Sequence, residues 1–233
     1  MRARSLYPGP DPRELPAYGL AEAARYLRIP AATLRAWTVG RTYPRQGGVG
    51  SFEPLIRPAD VGAPRLSFNN LVEAHVLRAL RTEHAVTLAA VRPALVYAER
   101  ELGIAHLLLS DALRTHAGQL FLEYYGELIN LSKSGQLALR KILEAHLQRV
   151  ERDASALPIR LFPFLTGALT DGPRTIVIDP AVAFGRPTVA GHGVSTEVLA
   201  RRIDAGETVD DLALDYAIAR QQIEEAIVFE KAA

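Results

Sequence analysis

The chain has 233 residues, 48% of them hydrophobic, with 27 Lys and Arg against 26 Asp and Glu, a formal net charge of +1 and no Cys. That length suits one or two domains, and the apolar content suffices to bury real cores. The absence of Cys excludes disulfides, thiolate metal sites and cysteine nucleophiles. No apolar run reaches the ~18 residues of a membrane span and the start carries no apolar leader, so a cytoplasmic protein with no membrane association is expected.

The charge is unevenly spread. Residues 1–70 hold ten Arg against five acids, a balance of +5, whereas residues 204–231 hold eight acids against two bases, a balance of −6. Such asymmetry points to one end meeting a polyanion and the other end not.

Residues 1–17, rich in Pro and polar side chains, read as a flexible tail. Residues 20–37, LAEAARYLRIPAATLRAW, predict helix, tight turn, helix. Leu20, Ala24, Leu27, Ile29, Leu34 and Trp37 converge on one core, Pro30 ends the first helix and starts the second, and Thr33, Arg35 and Ala36 point outward. Residues 38–66 form a long Gly, Pro and Arg-rich connection with room for a small hairpin. Ser67 caps a helix over 68–83, and Thr87 caps another over about 88–102, with Pro93 inside it.

After Gly103 the pattern changes. Residues 118–131, GQLFLEYYGELINL, alternate and are broken by Gly126, which predicts a β-hairpin presenting an exposed Tyr124–Tyr125 pair. Residues 135–154 predict an amphipathic helix with Leu139, Ile142, Leu143, His146, Leu147 and Val150 on one face. A short extended piece, LPIRLFPFL, follows, then a strand over 174–180. Three helices are expected at about 196–204, 208–216 and 219–230, the second opened by a Thr208–Asp211 capping box. The fold class is thus mainly α with small β elements. The units are a tail 1–17, an N-terminal domain 18–102, a middle hairpin-plus-helix segment 103–172 and a three-helix C-terminal domain 173–233.

Gly185 to Ser195, GRPTVAGHGVS, sits between a strand and a helix, where phosphate-binding loops sit. It spells neither G-x-x-x-x-G-K-[ST] nor G-x-G-x-x-G, so nucleotide binding is not expected. Gly191 and Gly193 permit a turn with positive φ, and Ser195 is placed to cap the next helix. The six His residues lack metal-ligand spacing, and His75 and His146 are expected in the core. No Ser-His-Asp arrangement or GxSxG is legible, so neither an enzyme nor a cofactor or metal is expected.

Two stretches resemble known families. Ala24, Leu27, Ile29, Thr33, Leu34, Arg35 and Trp37, followed by Arg65, Leu66, Ser67, Phe68 and Leu71, make 18–102 similar to the MerR-type winged helix-turn-helix, although the connection 38–64 is longer than that family's wing. Asp179, Pro180, Gly185, Pro187, Val189, Gly191, Val194, Gly206, Thr208, Asp210, Asp211, Leu212, Ala213 and Tyr216 make 174–230 similar to the bacterial family of domains of unknown function number 433, which comprises VapB-like antitoxins paired with PIN-like ribonuclease toxins. Where that family has Thr-Arg after its second Gly, this chain has His192 and Gly193.

The resemblance implies a DNA-binding, autoregulating antitoxin whose partners are operator DNA and a PIN-like toxin. DNA contacts are then expected from Arg28, Thr33, Arg35, Arg41 and Arg45, with phosphate contacts outnumbering base contacts. Partner or dimer contacts are expected from Tyr124, Tyr125, Leu95 and Leu102, the homodimer following from half-site symmetry. Gly185, Pro187, Gly191, His192 and Gly193 form the signature loop. The acidic C-terminal unit is expected to meet protein rather than phosphate. The alternative is a MerR-like regulator with a ligand-sensing C-terminal domain.

Overall fold

The computed structural model describes residues 10–45, 47–81, 88–104, 106–165 and 172–231. The expected cap at Thr87 lies outside them, as does most of the expected tail. Among the described residues the protein is helical, with nine α-helices and four two-stranded antiparallel sheets. None of these helices is long and apolar enough to cross a membrane.

β1 (Tyr18–Gly19) leads into α1 (Leu20–Leu27), and α2 (Ala31–Thr38) follows after a three-residue turn. Arg28 closes α1 in the left-handed region, φ 53°, and the Ile29 amide donates to Ala24 O. Ala24, Leu27, Ile29, Leu34 and Trp37 are all buried, so the helix-turn-helix core forms as the periodicity required. β2 (Arg41–Arg45) and β3 (Gly48–Phe52) form a hairpin after α2. The chain then returns to α2, where the Leu55 and Ile56 amides both donate to Trp37 O. β4 (Arg65–Leu66) pairs with β1 and opens into α3 (Phe68–Arg81). The Ser67 hydroxyl accepts from the Asn70 amide while Asn70 Oδ1 accepts from the Ser67 amide, a reciprocal cap.

α4 (Leu88–Arg100) and two 3-10 turns, Leu107–Leu109 and Asp111–Arg114, precede α5 (His116–Leu128) and α6 (Lys133–Gln148). The hairpin expected over 118–131 is therefore a helix. The alternation was coincidental, since Phe121, Leu122 and Tyr125 recur at helical spacing on one buried face. Gly126, expected to break the segment, is a packing contact instead, and so is Gly118. A Cβ on Gly126 would lie 2.9 Å from the Gln136 side chain of α6, and one on Gly118 would collide with the Leu113 carbonyl. The middle of the chain is thus a helical hairpin packed on α3 and α4, and Tyr97 of α4 stacks on Tyr124 of α5 with centroids 4.1 Å apart.

α6 ends at Gln148 rather than continuing to 154. Arg149 turns inward and its guanidinium donates to the carbonyls of Phe162, Pro163, Gly172 and Pro173 while lying 4.0 Å from the Phe164 centroid. That convergence starts β5 (Val150–Arg152), which pairs with β6 (Pro158–Leu161). β7 (Ile176–Val177) pairs with β8 (Thr188–Val189) and Ile178 bridges to Leu161. α7 (Thr196–Asp204), α8 (Val209–Tyr216) and α9 (Arg220–Lys231) complete the chain. The Thr208–Asp211 capping box forms as expected. One contiguous cluster of buried apolar residues runs from Tyr18 to Phe229.

Candidate nucleic-acid interface

The second helix of a helix-turn-helix can enter a groove only if its outer face is bare. In α2 the preceding Pro30 together with Ala31, Ala32 and Arg35 are exposed, and Thr33 is half-buried. No acidic residue occurs in α2, β2 or β3. Arg41 on β2 is also exposed. Arg45 ends β2, and its side chain lies outside the described residues. The base of the hairpin is held from α4, where Arg92 donates to the carbonyls of Glu53 (2.7 Å) and Pro54 (2.9 Å) and its guanidinium lies 3.8 Å from the Glu53 carboxylate.

Two residues expected to point outward do not. Ala36 is buried, because it follows Leu34 round the inner side of a two-turn helix. Arg28 faces the C-terminal unit. It donates to Phe229 O and to Leu165 O (3.2 Å), and its guanidinium lies 4.8 Å from the Phe229 centroid. Burial lowers its pKa from the ordinary arginine value. Held through Nη2 by the carbonyls of Leu165 and of Phe229 near the end of α9, Arg28 faces the C-terminal unit rather than the bare side of α2.

Further contacts join α1 to the C-terminal unit. Arg25 pairs with Glu230, and Tyr26 stacks on Phe229 with centroids 6.1 Å apart at 24°. An aromatic pair of this kind contributes about 0.5–1.5 kcal/mol beyond its buried area. Burial pushes the Tyr26 phenol up to about 12. Arg186 pairs with Glu22, and the buried Tyr18 hydroxyl donates to Gly185 O at 3.0 Å. Burial likewise holds the Tyr18 phenol far above its ordinary range. The C-terminal unit thus docks on α1 and leaves α2 bare.

This docking explains the signature loop. Gly185 has φ 76°, and a Cβ there would collide with the Tyr18 hydroxyl, so the position needs glycine for two reasons. Pro187 O accepts from both the amide and the hydroxyl of Thr196, which starts α7. Ser195 stands at the N-cap, but its side chain makes no capping bond. Gly191 (φ 82°) and Gly193 (φ 69°) form the turn expected of them, and His192 is exposed at its tip.

The expected partner contacts divide. Tyr125 is fully buried and its hydroxyl donates to Leu80 O at 3.0 Å, so it is a core residue and offers nothing to a partner. On a helix Tyr125 falls one turn beyond Phe121 and Leu122, on the buried face. Tyr124 is half-buried in its stack with Tyr97. Leu95 and Leu102 pack partly buried against the core. The acidic unit carries its own ion pairs, with Arg202 bound to Glu207 and Asp215 and Arg220 bound to Asp210, and it exposes Leu214 on α8.

Residues 16–95 match the family described as "Putative DNA-binding HTH domain", and residues 176–229 match that described as "Protein of unknown function (DUF433)". A protein of Mycobacterium tuberculosis (strain H37Rv), "Putative antitoxin VapB45", is 32% identical over 92% of this chain and 93% of its own length. This chain belongs to the DUF433 family. A second protein of that organism, "Uncharacterized protein Rv2308", is 28% identical over 92% of this chain and 90% of its own. The crystal structure of Rv2018 from Mycobacterium tuberculosis has 26% sequence identity, covers 91% of this chain and 97% of that one, and superposes with a TM-score of 0.64.

Proposed function

We propose that this member of the DUF433 family is the antitoxin of a type II toxin–antitoxin module, which represses its own operator and neutralises a PIN-like ribonuclease by direct contact. The observation that carries the reading is similarity over nearly the full length to a relative named as an antitoxin, joined to a helix-turn-helix whose second helix stays bare. We read the N-terminal unit as a winged helix-turn-helix of MerR type, with β2 and β3 as the wing. Arg35 and Arg41, with Arg45 at the wing's end, grip phosphate, and Thr33 faces the groove. Operators of this kind are read by symmetric dimers, so the DNA-bound species is a homodimer. The acidic helices of the C-terminal unit repel phosphate and are left to protein contact.

Purification with the product of the adjacent gene tests the reading. A stable complex, and growth rescue when both are expressed, support it. An adjacent product that is harmless alone, or that neither binds this protein nor is silenced by it, refutes it. Operator binding is measured separately by titration against the promoter fragment at two salt concentrations.

A further inference from the structure

The hairpin that follows α2 has two chemically different faces. In the register of β2 and β3, Arg41 stands opposite Phe52, Tyr43 opposite Gly50 and Arg45 opposite Gly48. Directly opposed residues of an antiparallel pair share a face, and the residues between them take the other. The second face therefore belongs to the pairs Thr42–Ser51 and Pro44–Val49, none of them charged. The two arginine positions, 41 and 45, both fall on the first.

Tyr43 sits at the middle of that first face. A Cβ on Gly50 would lie 2.7 Å from Tyr43 Cζ and 3.1 Å from its hydroxyl oxygen, so the phenol end of the ring lies across the ribbon on the bare backbone of Gly50. Gly50 is buried, while Tyr43 keeps 42% of its surface exposed. Glycine inside a strand weakens it and marks a place where another group comes close to the backbone. Here that group is the tyrosine. Among the described residues, neither the Tyr43 hydroxyl nor the Arg41 guanidinium has a hydrogen-bond or ion-pair partner.

The ribbon is tied to the helix before it at both ends. The Gly40 amide donates to Ala36 O where the chain leaves α2, and the Leu55 and Ile56 amides donate to Trp37 O where it returns. Arg35 and Arg41 thus belong to one anchored unit, residues 31–52, whose sequence holds no acid. The first acid beyond β3, Glu53, stands 3.8 Å from Arg92.

We infer that the Arg41–Tyr43 face of the hairpin lies on the sugar-phosphate backbone of the operator, with the Tyr43 hydroxyl donating to a phosphate oxygen, and that the face carrying Thr42 and Val49 is turned away from it. The inference rests on the operator-binding part of the reading given above. An unpaired cation on an acid-free unit suits a polyanion. A hydroxyl beside it adds a positioning contact without adding charge.

The test titrates the full chain, wild type and variants, against the promoter fragment at two salt concentrations. Thermal denaturation and affinity for the adjacent gene product are measured alongside. Tyr43→Phe keeps the ring on Gly50 and removes only the donor. It should lose about tenfold in operator affinity, as for one hydrogen bond to a charged group, with its Tm unchanged and its salt slope unchanged because no charge is lost. Arg41→Gln should lose affinity and lower the magnitude of the slope by about one unit. Val49→Ser, on the opposite face, should bind as the wild type does. Tyr43→Phe binding like the wild type overturns the inference and leaves the operator reading intact, and so does Val49→Ser losing as much as Tyr43→Phe. A Tyr43→Phe variant that loses affinity for the adjacent gene product but not for the promoter fragment assigns the face to a protein and overturns it too. A wild type that does not bind the promoter fragment removes the operator reading itself, and the inference with it.

Discussion

Lowering the pH toward 5 should weaken this fold sharply, through two histidines buried between α3 and α6. His75 and His146 lie with ring centroids 4.7 Å apart, both against Phe164, and the guanidinium groups of Arg78 and Arg149 also lie over that ring. His75 Nε2 donates to His146 O at 3.1 Å and His146 Nδ1 donates to Ile142 O at 2.9 Å, so each ring holds one bond that its neutral tautomer can make, while the buried His146 Nε2 meets no partner among the described residues. Burial, reinforced by the two Arg charges, lowers His146 from 6.5 to about 3, and burial together with His146 drives His75 well below its ordinary value. Above pH 6.5 both rings are neutral folded or unfolded, and neither costs stability. Below it the unfolded chain takes up protons that the native state refuses, so stability falls with pH at about 1.4 kcal/mol per unit for each ring. For His146 alone the loss by pH 5 is about 2 kcal/mol, and His75 adds to it with the same sign. A chain of this size loses about 2–4 °C of Tm per kcal/mol, so His146 accounts for ~4–8 °C. Thermal denaturation from pH 7.5 to 5 of the wild type and of His146→Leu measures this, because the variant lacks one of the two protons. The acids with depressed pKa, Asp153, Glu207 and Asp211, lose their contribution only as pH falls through the carboxylate range and do not confuse the window. Parallel pH profiles for the two proteins between 6.5 and 5 would refute the reasoning.

Arg35→Ala should weaken operator binding and lower the magnitude of the salt slope by about one unit, as expected for one lost phosphate contact; unchanged affinity at matched salt removes Arg35 from the interface. Arg28→Ala should destabilise the protein by about 1.5–3 kcal/mol, since it strips a charged donor from two carbonyls, yet leave operator affinity of the folded protein unchanged. A loss of affinity without loss of Tm would restore Arg28 to the DNA face. Gly185→Ala should cost about 2 kcal/mol or more, combining left-handed strain with the collision at Tyr18, whereas Tyr18→Phe should cost only about 1 kcal/mol, the worth of one hydrogen bond. Denaturant titration separates the two, and equal costs would mean that the hydroxyl contact, not the backbone conformation, makes glycine necessary.

Much of this molecule was legible in its residues because the controlling interactions are local. The spacing of Ala24, Leu27, Leu34 and Trp37, the caps at Ser67 and Thr208, and the bounds of α7, α8 and α9 each depend on a turn or two of helix, and each formed where expected. The signature loop was legible as a turn for the same reason, since Gly191 and Gly193 mark positive φ wherever they pack. The error over 118–131 has the opposite cause. Gly126 reads as a break by its backbone freedom, but its use is the space it leaves for Gln136 on the next helix, a contact across two helices that no alternation pattern records.

Arg28 and Tyr125 follow the same division. Sequence alone determined that an arginine stands at the turn of the helix-turn-helix and a tyrosine among leucines near residue 125. Which partner each one meets was decided by tertiary packing, by the arrival of α9 against α1 and of α5 under α3. A buried donor must find an acceptor, and on the two residues named here that acceptor is a carbonyl 45 and 201 positions away. Local propensity sets where helices start and stop, whereas the docking of the C-terminal unit on α1, which leaves the outer side of α2 bare, depends on surfaces that exist only once the chain is folded.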